Sequence, residues 1–112
     1  VHYMSPEQTL QKKVVQDHRT DIFSLGVVLY EMLVRSPPFE RPGDNTVFAV
    51  MHRIAGEPHG VVSKLDPQIP VAFNAILDKA LAKSPEDRYP SAAEFSRDLR
   101  ACRSEFAGLE GR

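Results

Sequence analysis

The chain has 112 residues, 42% of them apolar and 26% charged, which is an ordinary globular composition. Fourteen basic and fifteen acidic residues leave a formal charge of −1, so no field favours nucleic acid or anionic lipid as a partner. The single cysteine, Cys102, closes no internal disulfide and reads as a small core residue. The four histidines lack metal-ligand spacing, and no metal site is expected. Met4-Ser5-Pro6-Glu7 is too polar for the core of a signal peptide. The longest apolar run, within 22–34, is broken by Ser24, Gly26 and Glu31 and is too short for a membrane span. These features fit a cytoplasmic protein.

In chain order the signals are nearly all helical. Ser5-Pro6-Glu7-Gln8 starts a short helix, with Ser5 as cap, Pro6 at the first helical position and Gln8 closing a capping box. Thr20 is a candidate N-cap for a second helix, with Asp21 in its first turn. The apolar residues that follow, from Ile22 to Val34, cover almost the whole helical circumference, which marks a buried helix. Val28 and Met32 are core residues on that reading. Pro37-Pro38 ends the helix.

A turn at Pro42-Gly43-Asp44-Asn45 leads to a third helix over about 46–55, with Val47, Val50, Met51 and Ile54 on one face and Phe48 beside it. Residues 57–70 hold three prolines and read as an ordered loop. A fourth helix spans about 71–82. Ser84-Pro85-Glu86-Asp87 is a tight turn. Ser91-Ala92-Ala93-Glu94 is a capping box that opens the last helix, whose stripe is Phe95, Leu99, Cys102 and Phe106. Residues 108–112 read as a frayed end. The expected fold is therefore all-α, about five helices around one buried central helix. Four short helices are too few to cover the central one completely, which hints at a missing part of the domain.

Tyr3-Met4-Ser5-Pro6-Glu7-Gln8, Asp21-Ile22-Phe23-Ser24-Leu25-Gly26 with the apolar run after it, Pro37-Pro38-Phe39, and Lys83-Ser84-Pro85-Glu86-Asp87-Arg88-Tyr89-Pro90 stand in an order and spacing that resembles the second half of a eukaryotic-like protein kinase domain, in the style of bacterial serine/threonine kinases. The resemblance implies the helical C-lobe portion of a protein-kinase-like (α+β) fold over residues 1–106, from the end of the activation segment through the final helix, with 107–112 as a tail. It also implies roles. Glu7 would pair with Arg88 in a buried structural ion pair, as the planar fork of arginine allows. Asp21 would anchor the catalytic loop, and Gly26 would permit close helix packing. Val28 and Met32 would anchor a hydrophobic column reaching the adenine site. Val1 and Met4 would form a wall for the substrate residue after the phosphorylated one, and Glu31 could contact a basic substrate. Tyr3, where tyrosine kinases usually carry Trp, points to Ser/Thr specificity.

Phosphoryl transfer needs residues that position ATP, bind metal and orient the nucleophile. The family supplies them from a glycine-rich loop, a strand lysine, a His-Arg-Asp loop and Asp-Phe-Gly, none of which occurs in this sequence. His18-Arg19-Thr20-Asp21 and His52-Arg53-Ile54 only approximate the catalytic loop. The resemblance thus implies that ATP and Mg²⁺ belong to an intact parent enzyme, with no catalytic residue and no bound cofactor on this chain. Its expected partners are a protein substrate with a Ser/Thr acceptor and the missing N-terminal part of the kinase domain. The alternatives are a pseudokinase or truncated interaction module without catalysis, or an unrelated helical domain with Glu7 and Arg88 far apart.

Overall fold

The computed structural model describes residues 3–9, 18–44 and 46–110, with side chains as far as Cys102 apart from Thr9. Among these residues six α-helices run in the order α1 Pro6–Thr9, α2 His18–Val34, α3 Val47–Gly56, α4 Val62–Leu65, α5 Ala72–Ala80 and α6 Ala92–Glu110, with a 3-10 turn at Pro85–Asp87 before α6. No strand occurs among the described residues. Helix α2 packs on α5, α4 and α6, while α1 packs on α3.

The local signals act as their chemistry predicts at three starts. The Ser5 N–H donates to Gln8 Oε1 at 2.9 Å, closing the box at the head of α1. Thr46 Oγ1 accepts from the Ala49 N–H at 3.3 Å and caps α3. Ser91 Oγ accepts from the Glu94 N–H at 3.3 Å at the head of α6.

Four expectations about element boundaries need correction. Helix α2 begins at His18, not after Thr20, and Thr20 lies inside it as a buried residue. Its hydroxyl is committed to Glu7, so tertiary contact overrides the local capping preference. Helix α2 also ends before the prolines: Arg35 takes a left-handed backbone conformation, φ 61°, and stops the helix. The supposed loop at 57–70 contains α4, a single turn held by the buried Val62, too short to show a helical period. The backbone of α6 continues to Glu110, through part of the supposed frayed end. The side chain of Phe106 lies outside the described residues.

The core gathers Phe23, Val27, Ile54, Leu77 and Ala80 with Tyr89, Phe95 and Cys102. Gly26 brings α2 against α5, since a Cβ there would lie 3.0 Å from Ala80 Cβ and 3.0 Å from Leu81 Cδ2. The central helix is not buried all round. Val28 and Met32, expected in the core, are 39% and 73% exposed, and Leu25 beside them is exposed too. The physical reason is cover: among the described residues only α6 approaches α2 on this side, leaving a nearly apolar groove of about 380 Å³ between Leu25, Val28, Leu29 and Met32 and the α6 residues Phe95 and Leu99.

Candidate functional site

The most concentrated polar chemistry lies where α1, the start of α2 and the segment before α6 meet. Arg88 Nη1 and Nη2 donate to the two oxygens of Glu7, each at 2.8 Å. Both residues are buried, Glu7 at 5% and Arg88 at 2% exposure. The other guanidinium hydrogens are spent on backbone: Nε donates to Ala82 O at 2.8 Å, Nη2 to Lys83 O at 3.2 Å and Nη1 to Arg19 O at 3.1 Å. Every N–H of the fork has an acceptor, which is the condition under which a buried arginine is tolerated. The guanidinium carbon also lies 4.8 Å from the Phe23 ring centre.

Thr20 completes the site by donating its hydroxyl to Glu7 Oε2 at 2.7 Å. Burial pushes the Glu7 carboxyl up, but the hydrogen bonds from Arg88 and Thr20 outweigh it and hold the group down to about 2. Glu7 is thus a carboxylate throughout the neutral range. Sequence reasoning missed Thr20. Its position before an apolar run reads as a cap, and no local signal separates that from a long-range hydroxyl donor.

The Arg88 hub extends to α3. Lys83 Nζ donates to the carbonyls of Arg53 and Ile54 at 3.3 and 2.7 Å, in the last turn of α3, and sits 3.9 Å over the Phe39 ring. Phe39 stacks on Phe23 with centroids 6.1 Å apart. Burial lowers the Lys83 ammonium to about 8. Arg53, the basic member of the second catalytic-loop lookalike, is occupied by Asp44 at 2.8 Å.

The substrate-side residues fall as follows. Val1 lies outside the described residues. Met4 is half-buried against the core. Glu31, on α2, accepts a hydrogen bond from the Tyr3 hydroxyl at 3.1 Å. Asp21 is exposed in the first turn of α2. Phe48 projects from α3 with 74% exposure. Among the described residues, no three His, Cys, Asp or Glu side chains converge to hold a metal ion. No helix among them is long and apolar enough to cross a membrane.

A short helix clamped by a buried arginine onto a helical lobe is the arrangement the geometry shows, and the family model "Protein kinase domain" matches residues 1–98. The chain belongs to the protein kinase domain family and forms the helical C-lobe of that fold. Similar proteins include bacterial kinases. The chain is 44% identical over 109 residues to the tyrosine-protein kinase MasK of Myxococcus xanthus, covering 97% of this chain and 16% of that protein. It is 42% identical over 100 residues to a probable serine/threonine-protein kinase of Streptomyces coelicolor, covering 89% and 14%. It is 43% identical over 97 residues to the serine/threonine-protein kinase PknB of Mycobacterium leprae, covering 87% and 15%. The chain therefore spans 14–16% of the length of these relatives.

Proposed function

We propose that this lobe serves a bacterial-type protein kinase that transfers phosphate from ATP to Ser or Thr of a protein substrate, with the lobe scaffolding the catalytic loop and binding that substrate. The observation that carries the reading is the buried Glu7–Arg88 pair, which fixes α1 to the rest of the lobe. In this reading Val1 and Met4 form the wall for the substrate residue after the phosphorylated one, and Glu31 contributes acidic recognition. Asp21, exposed at the start of α2, receives the catalytic-loop backbone. Val28 and Met32 anchor the hydrophobic column, and their groove seats the N-terminal part of the kinase domain. ATP and Mg²⁺ bind to that part, outside this chain.

The test is a phosphotransfer assay on the longer parent protein, with Ser/Thr and Tyr acceptor proteins compared. Transfer to Ser/Thr that falls when Glu7→Gln is introduced supports the reading. A well-folded parent that transfers nothing leaves the interaction-module alternative. Transfer to Tyr alone, the activity in the printed name of the Myxococcus relative, overturns the acceptor assignment.

A further inference from the structure

Helix α3 ends without a local cap. Gly56, its last residue, is not left-handed, and Glu57 after it is extended at φ −103°, so the chain does not turn back over the last carbonyls. Those carbonyls are reached from far along the sequence. The Lys83 ammonium donates to Arg53 O at 3.3 Å and to Ile54 O at 2.7 Å, across separations of 30 and 29 residues. A cation suits this end of a helix dipole.

The same residue is tied to Arg88. Its carbonyl accepts from Arg88 Nη2 at 3.2 Å. A second connection runs through two rings: the ammonium lies 3.9 Å from the Phe39 centre, Phe39 stacks on Phe23, and the Arg88 guanidinium carbon lies 4.8 Å from the Phe23 centre. The backbone of Lys83 thus belongs to the Glu7–Arg88 clamp and its side chain to α3. Burial opposes the charged form of this amine, and the nearby charge of Glu57 offsets that only in part. An apolar side chain of similar length would avoid the desolvation, so what Lys83 supplies is placement of α3 more than net stability.

We infer that Lys83 is a positioning residue that relays the Glu7–Arg88 clamp to the last turn of α3. Helix α3 packs on α1, so its setting bears in turn on the stretch carrying Met4. That last step rests on the reading of Met4 as a substrate-side residue. The relay is reciprocal: loosening the clamp frees the end of α3, and losing the cap disconnects α3 from the clamp.

Amide exchange on the chain itself tests the relay. The Glu57 N–H donates to Arg53 O at 2.9 Å, the carbonyl that Lys83 also reaches, and reports opening of the last turn of α3. Lys83→Met should speed its exchange on the order of tenfold, as for one lost hydrogen bond from a charged group, with the amides of α5 unchanged and the urea midpoint not lowered. Thr20→Val, which weakens the clamp, should speed Glu57 exchange beyond that of α5 in the unsubstituted chain and should have no such effect in the Lys83→Met background. Unchanged Glu57 exchange in Lys83→Met overturns the cap. Equal effects of Thr20→Val in the two backgrounds overturn the relay. Steady-state kinetics of the longer parent test the consequence: Lys83→Met should raise KM for the protein substrate several-fold, with kcat and the KM for ATP unchanged. An active parent in which Lys83→Met leaves the protein KM unaltered, or lowers kcat alone, overturns the positioning role. A parent without phosphotransfer defeats the proposed function instead, and the exchange measurement still decides the relay.

Discussion

Thr20 and Arg88 converge on one oxygen of a buried carboxylate: the Thr20 hydroxyl lies 2.7 Å from Glu7 Oε2, and Arg88 Nη1 lies 2.8 Å from the same oxygen. Glu7 thereby joins α1, the first turn of α2 and the segment preceding α6 through a single group. Removing one member leaves the others buried and short of a partner, which costs more than the contact itself contributes. Arg88→Met or Glu7→Gln should each lower stability by about 3–5 kcal/mol, read from the urea midpoint. Thr20→Val, which keeps the shape and deletes one donor, should cost about 1.5–3 kcal/mol. Arg88→Lys should not rescue, because an ammonium cannot serve acceptors at Glu7, Arg19, Ala82 and Lys83 together.

The same carboxylate sets an acid response. Its value is lowered from 4.5 to about 2, so its stabilisation is complete above 4.5 and is lost as pH falls through that range towards 2. Asp44, lowered from 3.8 to about 2 by Arg53, acts in the same direction. Lys83 has the opposite sign of shift. Lowered from 10.5 to about 8, it binds fewer protons folded than unfolded between those values, so its contribution raises stability as pH climbs from 8 to 10.5. Thermal melts across pH should show acid destabilisation that is shallower in Glu7→Gln, and an alkaline gain that is absent in Lys83→Met.

Gly26 is a packing residue whose φ is not special. A methyl group there would need α2 and α5 to part, because Ala80 Cβ and Leu81 Cδ2 both stand 3.0 Å from it. Gly26→Ala should therefore destabilise by about 1–3 kcal/mol despite its better helix propensity. A neutral or raised melting temperature would show that the contact yields easily.

The apolar groove between α2 and α6 should bind a hydrophobic dye on the chain by itself. Met32→Lys should abolish most of the fluorescence while leaving the melting temperature unchanged, since Met32 is 73% exposed and packs on little. Dye fluorescence that survives Met32→Lys places the binding surface elsewhere.

Much of the helical order was legible in the sequence, because caps, prolines and apolar periods are local. Ser5, Thr46 and Ser91 bond within three residues of themselves, and their neighbours suffice to identify them. The pairing of Glu7 with Arg88 came from motif resemblance, since nothing local links two charges 81 residues apart. What only the tertiary structure decided is where tertiary partners compete with local preference. Thr20 gave up a cap for a carboxylate thirteen residues away. Val28 and Met32, apolar and at core spacing, stand exposed because an apolar residue is buried only where another surface arrives to cover it, and among the described residues only α6 does so on that side of α2. The sequence by itself determined which residues prefer helix and which prefer to leave water. The meeting of distant segments determined which of those preferences are satisfied within this chain.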